Sequence, residues 1–168
     1  IYQNQTKENI AEAARVYDSA VIKQKELWQI QRKDNSEETN QMVNREMIAD
    51  FTKVIELNPK HWYAYYKRGN SRLKLNDVFN GVEDYGMAIK YIPDSVKADP
   101  SKKHMIAKVY YARGYYRFLR TGEFELAKED FDKALELDPA YIKAEHYRTQ
   151  LLARMNYKQP EKDQKSNE

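Results

Sequence analysis

"YYKRG" at 65–69 returns as "YYARG" at 110–114, 45 residues further on. A match this close calls for a test of self-similarity before any search for chemistry. The match extends well beyond the five letters. Tyr65, Tyr66, Arg68, Gly69 and Arg72 pair with Tyr110, Tyr111, Arg113, Gly114 and Arg117. Further along, Glu83, Asp84, Ala88 and Pro93 pair with Glu129, Asp130, Ala134 and Pro139, provided one residue is inserted in the second copy near Thr121. A partial copy comes first: Met47, Asp50, Phe51, Val54, Ile55 and Pro59 match Gly81, Asp84, Tyr85, Ala88, Ile89 and Pro93, which lie 34 residues later.

Working outward, apolar residues recur at three- and four-residue steps, the spacing of one helix face. In the first segment Ile10, Ala14, Tyr17, Val21 and Trp28 mark that face, with Gln24 as the one lapse. This predicts a long helix over about 4–33. Asn35 with Glu38 three residues on reads as a capping-box start for a second helix, which Asn58-Pro59 stops. Further helices are expected over about 61–75, 78–91, from Asp99-Pro100 to Arg120, 124–137 and 141–157, with Thr121-Gly122 as a turn. No segment alternates with a period of two, so the expected class is all-α. Gly69, Gly81 and Gly114 would let helices approach closely, as would Ala88, Ala127 and Ala134, while Tyr65, Tyr85, Tyr110 and Phe131 fill the space between paired helices.

A period of about 34 residues, two helices per period and a Pro after the second helix resembles the tetratricopeptide repeat. The middle copy reads Tyr65-x2-Arg68-Gly69-x2-Arg72, Gly81-x3-Tyr85, Ala88, Pro93. The last reads Tyr110-x2-Arg113-Gly114-x2-Arg117, Ala127-x3-Phe131, Ala134, Pro139, and its ending "FDKALELDP" at 131–139 is very close to the family's usual one. Arg68 and Arg113 stand where the family has Leu, and Arg72 and Arg117 where it has Tyr. The resemblance implies a right-handed α-solenoid of about three helix pairs with a C-terminal capping helix, since a single pair cannot bury its apolar face alone. The expected organisation is one domain over 1–157. It comprises an atypical first helix pair at 1–61, a repeat at 62–95, an insertion at 96–106, a repeat at 107–141 and a capping helix at 142–157. The insertion "SVKADPSKKHM" at 95–105 would form a longer loop and about two added turns on the next helix, carrying Lys102, Lys103 and His104 to one rim of the groove that the resemblance implies. The tail 158–168, without a large apolar residue, is expected to be disordered.

The 168 residues contain no cysteine, which excludes disulfides, thiolate metal sites and a Cys nucleophile. His61, His104 and His146 show no metal-ligand spacing. Gly81-x4-Gly86 lacks the Lys-Ser/Thr of a phosphate loop, and Asp130-x-Asp132 lacks the Gly and distal Glu of a calcium loop. No enzyme activity and no cofactor are expected. Asn4-Gln5-Thr6 is one glycosylation sequon. No apolar run suggests a membrane span. A chain starting at Ile1 without Met reads as trimmed or processed. The compartment therefore stays open: soluble, and either cytoplasmic or periplasmic or secreted.

Charge is distributed unevenly. From Asn58 to Asn76 there is no acid but Lys60, Lys67, Arg68, Arg72 and Lys74; from Pro100 to Gly122 no acid but Lys102, Lys103, Lys108, Arg113, Arg117 and Arg120. The helices that follow carry the acids. In the family the first helix of each repeat lines a concave groove, so the resemblance implies a basic groove and an acidic back. The same charges also complement helix dipoles and fit a packing role for the arginines. Carried over by position, the groove residues are Tyr63, Tyr66, Lys67, Asn70 and Lys74 in the middle repeat. They are Lys108, Tyr111, Tyr115 and Phe118 in the next, and Lys143, His146, Tyr147 and Gln150 on the capping helix. Some family members clamp a C-terminal carboxylate with Lys, Asn and Arg. Lys108 fits one such place, whereas Lys67 stands where that clamp has Asn and Ala112 where it has Arg. The expected function is binding of an acidic peptide or protein segment. The alternatives are a self-associating scaffold or assembly subunit and, third, nucleic-acid binding through the basic helices; an enzyme would need a site that the sequence does not show.

Overall fold

A computed structural model describes residues 7–157. The tail at 158–168 and the sequon at Asn4 lie outside the described residues. The described chain is all-α and divides into two compact units, Ile1–Pro93 and Asp94–Glu168.

The first unit holds α1 (Lys7–Lys33), α2 (Glu37–Leu57), α3 (Trp62–Lys74) and α4 (Val78–Tyr91), each packed on the next. The cap of α2 is Ser36, one residue after the expected Asn35: its Oγ accepts the Thr39 N–H at 3.2 Å, and Asp34 in turn accepts the Ser36 N–H at 3.0 Å. The core joins Ala13, Ala20 and Leu27 of α1 to Val43, Met47, Phe51, Val54 and Ile55 of α2. Fully burying a side chain such as Phe51 contributes about 1.5–3 kcal/mol relative to leaving it in water.

The buried face of α1 is therefore not the one expected. Ala14 is exposed, Ile10 and Trp28 are largely exposed, and Gln24, the apparent lapse, is buried. Ala13, Ala20 and Leu27 each precede a residue of the expected stripe by one, so the buried stripe is rotated by about one position, while Tyr17 of the expected face is half-buried with its ring 6.2 Å from that of Phe51.

At Gly69, a Cβ would sit 3.1 Å from the Gly81 carbonyl oxygen and 3.1 Å from the Tyr85 ring, so the absent side chain sets how closely α3 meets α4.

The second unit begins with a short helix that the sequence did not suggest, α5 (Asp94–Ala98), which buries no residue. A 3-10 turn over Pro100–Lys102 follows, capped by Asp99, whose carboxylate accepts the Ser101 N–H at 2.9 Å. Then come α6 (Lys103–Tyr116), α7 (Phe124–Leu137) and α8 (Ile142–Tyr157), with α7 packed on α6 and on α8. The inserted residues thus form α5, the 3-10 turn and the first turn of α6. The α6 helix ends in a π-helical turn over Arg117–Thr121, closed by Gly122 in the left-handed region at φ 72°. This turn falls where the repeat alignment requires one inserted residue, and a π turn is how a helix absorbs one without losing register. The core has two clusters, Phe118, Ala127, Phe131 and Leu151, and Ala107, Ala134 and Ala144.

Candidate functional site

The arginines that departed from the family pattern point inward. Asp84, buried on α4, accepts from Arg68 at 3.0 and 2.7 Å and from Arg72 at 2.8 Å. Asp130, buried on α7, accepts from Arg113 at 3.1, 3.0 and 2.6 Å and from Arg117 at 2.8 Å. Four of the bases counted toward a basic groove are therefore engaged, two each, by two carboxylates counted toward an acidic back. Both sets lie at the contact between the two helices of a pair, so they hold the pair together.

The remaining predicted residues form two separate aromatic faces. In the first unit, α1 and α3 bring together Tyr17, Trp28, Tyr63, Tyr66 and Lys67. Ring centroids are 6.3 Å apart for Tyr17–Tyr63 and 5.6 Å for Tyr63–Tyr66. The Lys67 ammonium lies 5.3 Å from the Tyr63 ring centre and 5.8 Å from that of Trp28, and donates to Gln24 Oε1 at 3.3 Å. Burial lowers the Lys67 pKa, and nearby Lys74 adds to the effect. Asn70 accepts from the Tyr85 hydroxyl at 2.7 Å and so is committed to α4. Lys74 is exposed at the end of α3.

In the second unit Tyr111 is the hub. Its ring lies 5.0 Å from Tyr141, 6.0 Å from Tyr115 and 6.1 Å from Tyr147, and Tyr115 packs edge-on to Tyr147 at 4.8 Å. Burial raises the pKa of Tyr111 well above the usual phenol range, with Tyr141 adding to it, and burial raises Tyr115 as well. Tyr17 is pushed up to about 12, mainly by burial. These phenols stay neutral at ordinary pH, so they offer rings and hydroxyls, not charge. Lys108 and Lys143 are exposed beside this cluster, one turn from Tyr111 and Tyr147. His146 and Gln150, also exposed, are hydrogen-bonded to each other at 2.9 Å. Phe118 is the exception: it is buried against Phe131 and Leu151, so it packs the core and reaches no groove.

Among the described residues no group of three or more His, Asp or Glu could hold a metal ion, and no helix is long and apolar enough to cross a membrane.

The sequence pattern of the tetratricopeptide repeat family matches residues 107–141. The Arabidopsis OM64 TPR domain superimposes with a TM-score of 0.60 at 20% identity, covering 85% of this chain and 96% of that one. This is a tetratricopeptide-repeat fold. The first TPR of Spaghetti (RPAP3), bound to the HSP90 peptide SRMEEVD, gives 0.58 at 19% identity, over 82% of this chain and 93% of that one. MamA residues 41 to the end from Desulfovibrio magneticus give 0.53 at 20% identity, over 93% and 88%. A comparison with curated proteins gives no match.

In tetratricopeptide terms, α3 and α6 are the first helices of two repeats and α4 and α7 their second helices. Sequence reasoning missed Tyr17, Gln24 and Trp28, because α1 leaves the repeat pattern and no motif places them. It also missed Tyr141, which precedes α8; His104, expected on the insertion, has its Nδ1 paired with Asp138 and its ring 5.3 Å from Tyr141. The signal that could have found Tyr141 is its place two residues after the repeat-closing Pro139.

Proposed function

We propose that the chain is a non-catalytic protein-interaction module that binds an acidic peptide or protein segment. The observation that carries this reading is the Tyr111–Tyr115–Tyr147 cluster flanked by exposed Lys108 and Lys143, neither of which has an ion-pair partner among the described residues. Rings held by their neighbours present area at little entropic cost, and ammonium groups donate charge-assisted hydrogen bonds to carboxylates. The fold is one that, in the Spaghetti domain, binds a peptide carrying two Glu and one Asp. The face here is built differently, because Lys108 is the single match to the carboxylate clamp among the places that can be compared.

Fluorescence anisotropy with labelled SRMEEVD, and with the same peptide bearing Lys for each acid, tests the reading on the full chain. The acidic peptide binds, Lys108→Glu and Lys143→Glu weaken it, and added salt weakens it further. Equal binding of both peptides, or none of either, sinks it.

Self-association is a second reading, favoured by Phe79 and Ile142, which are 77% and 79% exposed. Sedimentation at several concentrations distinguishes a monomer from an assembling subunit.

A further inference from the structure

Lys67 is a half-buried cation whose one acceptor among the described residues is a neutral amide. Its neighbours on α3, Arg68 and Arg72, are held by Asp84 at 2.7 and 2.8 Å. The Lys67 ammonium instead faces the rings of Trp28 and Tyr63 and Gln24 Oε1 at 3.3 Å. No carboxylate lies within ion-pair distance of it among the described residues. A desolvated ammonium in this state gains when an anion joins it.

Trp28 is 43% exposed and opens into a recess of about 450 Å³ lined also by Lys25, Gln29, Gln31 and Arg32. Lys25, Trp28 and Arg32 stand three and four residues apart, so they share one stripe of α1. The recess has two cationic residues in its lining and no acid. Gln31 also lines a second recess of about 290 Å³, together with Asn40, Gln41, Asn44 and Lys74, where Glu37 is the one acid. The two recesses meet at Gln31. The side-chain amides there are joined to one another and to α2, Gln31 donating to Asn40, Gln41 to Glu37 and Asn44 to the Asn40 carbonyl, so they form a fixed polar edge to the recess.

We propose that the C-terminal half of α1, with Lys67 of α3, is a docking surface for an extended acidic segment in which an apolar side chain neighbours the acids. The apolar side chain lies on Trp28. Carboxylates meet Lys67, Lys25 and Arg32. The charge of the lining selects an acidic partner, and the exposed indole adds preference for an apolar residue beside the acid. This inference rests on the peptide-binding reading above and gives it a place on the first unit.

The experiment uses the full chain with Trp62→Phe, which leaves Trp28 as the single indole of the two in the sequence. Trp28 fluorescence is followed during titration with the peptide Glu-Glu-Phe-Glu-Glu, with its Gly-for-Phe version, and with single-stranded oligothymidine. Anisotropy of the labelled peptide is measured in parallel. The Phe peptide is expected to shift Trp28 emission, and the Gly version to bind more weakly. Lys67→Met and Arg32→Gln are each expected to weaken binding by about tenfold, a scale of one lost charge-assisted contact. Arg32 is exposed, so its variant tests the idea without touching the core. If the peptide binds with unchanged affinity in both variants but is lost in Lys108→Glu, this inference is overturned and the peptide-binding function stands. If no acidic peptide binds anywhere, both are overturned. If oligothymidine alone shifts Trp28, the surface reads nucleic acid and the inference is again overturned.

Discussion

The pairs α3–α4 and α6–α7 carry the same arginine–aspartate–arginine cluster, yet the chain between its second arginine and its aspartate differs in length. Arg72 reaches Asp84 across 12 residues, and Arg117 reaches Asp130 across 13. The extra residue is taken up by the π turn at Arg117–Thr121. Helix contact is restored beyond it. A Cβ on Gly69 would meet the Gly81 oxygen at 3.1 Å, and one on Gly114 would meet the Ala127 oxygen at 3.1 Å. What is held constant between the two pairs is thus the close backbone approach and the buried ion cluster; the helix end is free to vary. One difference remains in the cluster itself, since Arg68 also donates to Thr52 of α2 at 3.2 Å, tying three helices together.

The largest expected effect comes from breaking the shared cluster. Asp84→Ala leaves Arg68 and Arg72 half-buried with no counter-charge among the described residues, and Asp130→Ala does so for Arg113 while Arg117 keeps only the part-exposed Glu123 at 3.8 Å; breaking a buried pair costs about 3–5 kcal/mol. Urea unfolding of each variant should show a comparable loss. If Asp130→Ala were nearly neutral while Asp84→Ala were severe, the two clusters would not be equivalent.

Next in size is the position where the pairs differ inside the contact. Gly81 of the first pair aligns with Ala127 of the second. A Cβ on Gly81 would fall 2.5 Å from Leu73 Cγ, whereas Ala127 is fully buried beside Phe118, the residue that aligns with Leu73. Phe118 is carried on the π turn, so the wider helix end accompanies the larger pair of residues. Gly81→Ala should destabilise by about 1–3 kcal/mol through overpacking, despite the better helix propensity of Ala. Ala127→Gly should cost about 1 kcal/mol for the opposite reason. Both variants make the two pairs more alike in sequence, and both are expected to lower the thermal midpoint.

Much of this was legible in the sequence, and the failures have physical causes. Pro59, Pro93 and Pro139 mark where second helices stop, because Pro disfavours helix in the residue before it. The paired "YY.RG" stretches located both clusters, and counting residues located the insertion near Thr121. What hydropathy could not show was direction. Arg68 and Arg113 look like surface charge until Asp84 and Asp130 are known to face them across the helix contact. On α1, Ile10 and Trp28 signal a core face, yet Ala13, Ala20, Gln24 and Leu27 are buried, because alanine and glutamine carry too little hydropathy to mark the buried stripe. Five residues of α5 hold too little periodicity to be read at all. The repeat pattern allowed ring positions to be named on α3 and α6, whereas on α1, which leaves the pattern, it placed none.

A smaller effect separates the starts of the two pairs. His61 caps α3: its Nδ1 accepts the Ala64 N–H at 3.2 Å, while its ring stacks 4.7 Å from Tyr17. The start of α6 has no side-chain cap. Only neutral imidazole can accept this bond, and burial lowers the His61 pKa below its usual 6.5. The stabilisation is therefore complete above that usual value and is lost as pH falls through the lower, folded value. A side-chain cap contributes about 1 kcal/mol. His61→Asn, whose amide accepts at any pH, should remove this part of the pH dependence when urea midpoints are compared at about pH 7 and pH 5.

The smallest effect distinguishes the two lysines on the candidate faces. Lys108 is exposed on α6, and no ion pair or ring contact holds it among the described residues. Lys67 is half-buried on α3 against Trp28, Tyr63 and Gln24. Reversing Lys108 to Glu places the new charge in water, where a surface change stays within about 0.5 kcal/mol. Reversing Lys67 would desolvate a carboxylate against two rings and a neutral amide oxygen, so Lys67→Glu should lower stability measurably while Lys67→Met should not. The comparison is checked by urea midpoints of the three variants. It fails if Lys108→Glu destabilises as much as Lys67→Glu, which would mean that α6 holds its lysine as tightly as α3 does. With Lys108→Glu neutral for folding, any loss of peptide affinity it causes is attributable to the binding contact itself.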